Sequence, residues 1–303
     1  MVILIFFAWV VIGRLIGQEV SGTEILTWQN TQGSPVMPAG TSSAASTTKT
    51  SYVVSDSHAD SGLLWLVNPD NPLPSSFTPS KLADHHGIRL HASAYTAYNQ
   101  MLAAMTAEGG IHGLQLISAY RPYDYQRNLF DRKVSELVSQ GHSVTIADEL
   151  ASKTLQRPGA SEHQTGLALD VTVSGQLTQD FAETKAGQWL ADNSHRFGFI
   201  IRYPRYKTDI TQIIYEPWHL RYVGIPHAHI IWENGITLEE YAQFISGGPY
   251  MHWCEADERR AYYLITYSEF WPGLPQAGLI DISSVRQGNG AGYIITFHRV
   301  LAH

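Results

Sequence analysis

A chain of 303 residues, 44% hydrophobic and only 16% charged, can bury a full core in one or two domains and is not a wholly disordered protein. A formal net charge of -7 with no long Lys/Arg block lacks the basic footprint of a nucleic-acid binder, so no nucleic-acid partner is expected. The single cysteine, Cys254, excludes an internal disulfide; with no nucleophile motif around it, it reads as structural or incidental.

Residues 2 to 12, VILIFFAWVVI, make an apolar run about 17 Å long as a helix, short of the roughly 30 Å hydrocarbon core. That length suits a signal-peptide core, although no Lys or Arg precedes the run and no clear small-residue cleavage site follows it. Continued to Gly17 with Arg14 snorkelling, it would make a short membrane anchor. Residues 1–17 are therefore assigned to export or anchoring. Residues 18–60, polar and centred on GTSSAASTTKT, read as a flexible tether.

The folded region opens near Leu63, where Pro69, Pro72, Pro74 and Pro79 forbid a helix and predict an extended segment over the core. His91 to Ala107 carries apolar residues at helical spacing and stops at Gly109-Gly110. Leu114 to Tyr120 alternates as a strand and delivers Arg121 at its end. Pro122 breaks that strand, an amphipathic helix follows to about Gly141, and Ile146 to Leu155 forms a second, shorter one. Arg121 and Gln126 thus sit at a strand-to-helix junction, a usual place for substrate contacts.

The stretch RPGASEHQTGLALDVTV, Arg157 to Val173, puts His163 and Asp170 on either side of a glycine, at the mouth of a predicted strand from Leu167 to Val173. Residues 180 to 195 read as a helix and Phe197 to Arg202 as a strand. In YEPWHLRYVG, Tyr215 to Gly224, His219 follows Glu216 by three positions. Two histidines, one carboxylate ligand and a second carboxylate left free match a catalytic zinc, which takes three protein ligands and keeps a position for water. His163, Asp170 and His219 are the expected ligands and Glu216 the expected base. Pro217 holds Glu216 extended, and in a straight strand residues three apart face opposite ways, so Glu216 and His219 can converge only if the chain bends.

Thr237 to Ile245 is predicted as a capped helix. After Gly247-Gly248-Pro249, AYYLITY and GYIITFHRV read as two strands of a small β appendage over 247–303 with no visible chemistry; its aromatic residues suit core packing or edge pairing, with a sugar or partner surface as the alternative. The pairs His85-His86 and His227/His229 are attributed to chance among 14 histidines.

The blocks LVNPDNPLP, SAYRPYDYQ, PGASEHQTGLALDV, GFIIRYP and YEPWHLRYVG, in this order, resemble the VanY-type D-alanyl-D-alanine carboxypeptidases, zinc peptidases of the Hedgehog-like superfamily that trim bacterial cell-wall peptides. The likeness runs from about Leu63 to Ile245. It implies an α+β fold over 61–246, with a small antiparallel sheet carrying Zn2+ and helices flanking it. Position by position, it implies His163, Asp170 and His219 as zinc ligands and Glu216 as catalytic base. Arg121 would stabilise the intermediate or hold the substrate carboxylate, and Gln126 and Ser161 would line the pocket. The implied reaction is removal of the C-terminal D-alanine from peptidoglycan stem peptides, at a D-Ala-D-Ala or an L,D-linked terminus, in the bacterial cell envelope; a monomer is expected. Leu220 departs from the aromatic residue common in the family and is expected to alter the pocket rim. A non-catalytic zinc-containing binding module and a peptidoglycan endopeptidase remain as alternatives.

Overall fold

The structure is a computed structural model that describes residues 62–247, 250–256, 259–268, 279–287 and 290–300. The expected export segment 1–17 and tether 18–60 lie outside the described residues. Among the described residues no helix is long and apolar enough to cross a membrane.

The proline-bearing segment after Gly62 runs without a helix, and it buries Leu64 and Val67. It leads into a hairpin of β1 (Leu82–His85) and β2 (Ile88–His91) that the sequence reading missed. The two turn residues, His86 at φ 51 and Gly87 at φ 87, both adopt the left-handed region that a tight hairpin needs, without the usual Asn-Gly signal. Helix α1 (Ala92–Gly109) follows as predicted. Gly110, at φ 60, ends it by donating its N–H to Met105 and Thr106 carbonyls, which closes the open end of the helix.

Strand β3 (Gln115–Ser118) gives way to α2 (Tyr123–Ser139) and α3 (Val144–Ser152). Strand β4 (Ala168–Thr172) is buried along its whole length. The predicted helix over 180 to 195 is split: a 3-10 turn at Gln179–Glu183 precedes α4 (Lys185–Asn193). Thr184 caps α4 by accepting from Gly187 N–H, and a Cβ on Gly187 would lie 2.0 Å from the Phe181 carbonyl oxygen, so the tight corner requires glycine. Strand β5 (Phe199–Tyr203), the single-turn α5 (Thr208–Thr211) and strand β6 (Glu216–Tyr222) come next.

The sheet has the order β3-β4-β6-β5 with every neighbour antiparallel. Leu169, Val171, Phe199 and Leu220 point from one face into a core completed by Tyr98, Met101 and Met105 of α1. The alternate residues of β4, Ala168, Asp170 and Thr172, face the other way. Leu220 is fully buried in this core. The expectation that it alters the pocket rim is therefore corrected: the strand's alternation turns it away from the site.

Helix α6 (Ile225–Asn234), also missed, carries Pro226 in its first turn, where the lost N–H has no partner to lose. Helix α7 (Leu238–Ser246) starts with a capping box between Thr237 and Glu240, as predicted. Residues 250–300 contribute four strands rather than two: β7 (Tyr250–Ala256), β8 (Arg259–Ser268), β9 (Leu279–Gln287) and β10 (Gly290–Val300), in the order β7-β8-β10-β9. Ile265 and Ile294 are buried with Ile200, Val223, Ile230, Tyr241 and Ile245 in one core. His227 bridges the two parts, lying 2.7 Å from the Tyr241 hydroxyl and 3.2 Å from Thr296 Oγ1.

Candidate metal centre

The bend that the sequence demanded is a bulge in β6. Ile201 pairs with Leu220 and Tyr203 with Glu216, so Arg202 alone on β5 stands opposite Pro217, Trp218 and His219. The surplus residues shift the alternation, and Pro217, which cannot donate to a ladder, sits where the ladder is already broken. Glu216 and His219 consequently face the same cavity, with His219 Nδ1 4.0 Å from Glu216 Oε2. Strand pairing supplies the next group: Asp170 lies directly across from His219, and its Oδ1 is 2.9 Å from His219 Nδ1.

His163 comes from the 3-10 turn Glu162–Thr165 that leads into β4. Gly166 ends this turn at φ 73, where a Cβ would lie 2.8 Å from Leu82 Cδ2 and 3.1 Å from the backbone nitrogen of His91. His163 Nδ1 donates to the Ala119 carbonyl at 2.6 Å, because a carbonyl can only accept. That bond assigns the tautomer and leaves Nε2 with a bare lone pair. Nε2 has no hydrogen-bond partner although it is 3.2 Å from Asp170 Oδ2.

The three residues are buried, and their ligand atoms lie within 4.8 Å of one another. A buried imidazole nitrogen with no partner and a buried carboxylate between two histidines make a donor set of mixed N and O type that fits Zn2+.

The charges agree. Burial, with Arg121 nearby, pushes His163 down to about 4, so its ring is neutral and able to ligate. Burial alone would raise Asp170, but His163 and His219 hold it well below the usual carboxylate range. Burial would lower His219, yet its hydrogen bond to Asp170 and the nearby Glu162 carboxylate carry it up to about 9. Glu216 is pushed up to about 8 by burial, with the Asp170 charge adding and His219 and Arg121 opposing. A cation in the centre would act on Glu216 in the opposite sense, favouring the carboxylate.

A cavity of about 330 Å³ opens onto these groups, lined also by Arg121, Gln156, Ser161, Tyr203 and Trp218. Arg121 Nε is buried without a partner. Asp124, the acid three positions on, binds Arg127 at 3.0 Å. Ser161 is buried in the cavity wall. Gln126 lies behind that wall, donating from Nε2 to the Gln156 carbonyl at 2.6 Å, while Gln156 itself faces the cavity. The structure thus gathers His163, Asp170, His219, Glu216, Arg121 and Ser161 around one space and sets Gln126 behind it. Tyr203, whose ring centroid is 4.9 Å from that of His219, and Glu162 were not assigned from sequence. Both lie inside the recognised blocks, in GFIIRYP and SEHQ, but only folding shows which way they point.

The family model described as VanY, D-alanyl-D-alanine carboxypeptidase, matches residues 87–225. The chain is 39% identical over 194 residues to the putative carboxypeptidase YodJ of Bacillus subtilis (strain 168), covering 59% of this chain and 66% of YodJ. It is therefore matched over just under two-thirds of that relative's length. It is 33% identical over 192 residues to the bifunctional D-Ala-D-Ala dipeptidase and D-Ala-D-Ala carboxypeptidase VanXYC of Enterococcus gallinarum, covering 60% of this chain and 95% of that protein. Among solved structures, the vancomycin-resistance D,D-pentapeptidase VanY from a VanB-type cassette, crystallised with Zn(II), superposes with a TM-score of 0.53 at 38% identity, covering 59% of this chain and 97% of that one.

Proposed function

This chain belongs to the VanY family of D-alanyl-D-alanine carboxypeptidases, and from that premise we propose that it is a zinc-dependent carboxypeptidase removing the terminal D-alanine from peptidoglycan stem peptides. The observation that carries the proposal is the convergence of His163, Asp170 and His219 with a second buried acid, Glu216, 4.0 Å from His219 and outside the ligand set.

In this reading His163, Asp170 and His219 hold zinc, which when bound lowers the pKa of water and polarises a peptide carbonyl. Glu216 accepts the proton of the attacking water and passes it to the departing amine. Arg121 offers paired, charge-assisted donors to the free carboxylate of the peptide, the feature that separates a carboxypeptidase substrate from the interior of a chain. Leu155, Leu177, Ile213, Ile214 and Trp218 supply apolar lining and restrict water around the reacting bond. A purely binding module would gain nothing from a buried acid and an unpartnered buried guanidinium nitrogen beside the ligands.

Substrate of this kind lies outside the cytoplasmic membrane, and the apolar run at residues 2 to 12 supports export or anchoring to reach it. Mass spectrometry of stem pentapeptides incubated with the zinc-loaded chain tests the activity. Loss of one alanine from the carboxyl end is the expected result, and intact peptides with zinc bound would refute it.

A further inference from the structure

Glu162 is a buried acid that the mechanism above does not use. It is the neighbour of the ligand His163, yet its side chain turns away from His163 and is wholly enclosed. Oε1 accepts from Arg202 Nε at 2.8 Å and lies 2.7 Å from Arg221 Nη1. Arg202 spends its remaining donors on Glu239 at the start of α7, at 3.0 and 2.6 Å. Arg221 spends Nη2 on the carbonyls of Leu63 and Trp65 at 2.9 and 3.0 Å. Two carboxylates and two guanidiniums thus neutralise each other, with Glu162 held between the two arginines, because a buried charge is tolerated only when paired.

The other oxygen is left over. Glu162 Oε2 has no hydrogen-bond partner, and neither has His219 Nε2, which faces it at 3.9 Å. His219 presents its other nitrogen, Nδ1, to Asp170 and Glu216, so Nδ1 is the nitrogen on the metal side. A histidine that ligates through Nδ1 carries its proton on Nε2, and in a dry interior that proton needs an acceptor. His163 solves the same problem with the Ala119 carbonyl at 2.6 Å.

Resting on the zinc reading, we propose that Glu162 is the positioning residue of His219, a carboxylate anchored by Arg202 and Arg221 whose free oxygen receives the Nε2 proton and so fixes the tautomer and ring orientation of that ligand. The sheet supplies the anchor: Arg202 and Arg221 stand on β5 and β6, which are paired, and Glu239 ties them to α7.

The test uses the full chain, with zinc affinity measured by competition against a chromophoric chelator and the His219 ring nitrogens followed by nitrogen-15 NMR. Glu162→Gln is expected to weaken zinc binding about 10- to 100-fold, the range for loss of an outer partner of a ligating histidine, and to move the Nε2 resonance. Glu239→Gln, which disturbs the same buried network without touching His219, is expected to leave zinc affinity and that resonance unchanged. Should Glu162→Gln fail to fold, Glu162→Asp keeps a charge between the guanidiniums while withdrawing the oxygen from His219, and the same loss is expected. Undiminished affinity in the folded Glu162 variant, or an equal loss in Glu239→Gln, overturns the assignment. A wild-type chain that takes up no zinc would instead overturn the metal reading itself.

Discussion

Asp170 Oδ1 lies 2.9 Å from His219 Nδ1 because β4 and β6 pair in the register that sets these two residues opposite each other. The same carboxylate reaches within 3.2 Å of His163 Nε2 through its second oxygen. One side chain therefore spans both histidines, and its charge is what would draw a cation between them.

Asp170→Asn keeps the shape and removes that charge. Zinc affinity is expected to fall by at least about 100-fold, beyond the range seen for outer partners, with D-alanine release lost in parallel. Metal content after dialysis, read beside the activity of the same sample, checks it.

Glu216 stands outside the ligand set, so Glu216→Gln separates binding from chemistry. The variant is expected to retain zinc at wild-type stoichiometry while kcat falls about 10²- to 10⁴-fold, the usual worth of a general base. A variant that loses its metal would place Glu216 among the ligands.

Arg121→Lys retains a charge but not the paired fork. Loss of one charge-assisted hydrogen bond, about 1.5 to 3 kcal/mol, corresponds to about a 10- to 100-fold loss of kcat/KM on peptides with a free terminal carboxylate. Peptides amidated at that end should be slow with both forms, so the ratio between the two substrates reports what Arg121 grips.

The metal-free chain should show the cost of burying Glu216. Its folded pKa is raised, to about 8, above the ordinary value near 4.3 in an unfolded chain. A raised pKa contributes stability that is present below the unfolded value and is lost as pH rises through the folded one. With chelator present, Glu216→Gln, which mimics the protonated acid, should be more stable than wild type above about pH 8, with the gap closing as the pH falls toward the ordinary carboxylate range. Urea midpoints across this window decide the matter, and a gap that widens on acidification would reverse the sign assigned to Glu216.

Leu220→Ala tests the correction made for that residue. A fully buried leucine in the sheet core is expected to cost about 2 to 5 kcal/mol on truncation, while zinc affinity stays unchanged. A rim residue would instead alter KM and leave the urea midpoint where it was.

Local signals made much of this molecule legible. The Gly109-Gly110 stop, the Thr237 and Glu240 cap and the alternation around Asp170 each act within a few residues, and each element formed where its pattern lay. The hairpin turn at His86-Gly87 and the helix beginning at Ile225-Pro226 escaped notice because their residues satisfy the geometry without carrying its common signature.

By itself the sequence determined the chemistry on offer: two histidines, two acids and an arginine in blocks of fixed spacing, with Pro217 holding Glu216 extended so that only a bend could bring it round to His219. Only the tertiary structure decided which groups meet. The three-against-one bulge between β5 and β6 turned Glu216 and His219 to one side, and strand register brought Asp170 across from His219. Folding also set Glu162 behind that ring, 40 and 59 positions from the arginines that hold it in the chain. Such contacts depend on pairing between distant strands, which no stretch of local sequence specifies, because the free energy that selects a register is gained over the whole buried face of the sheet.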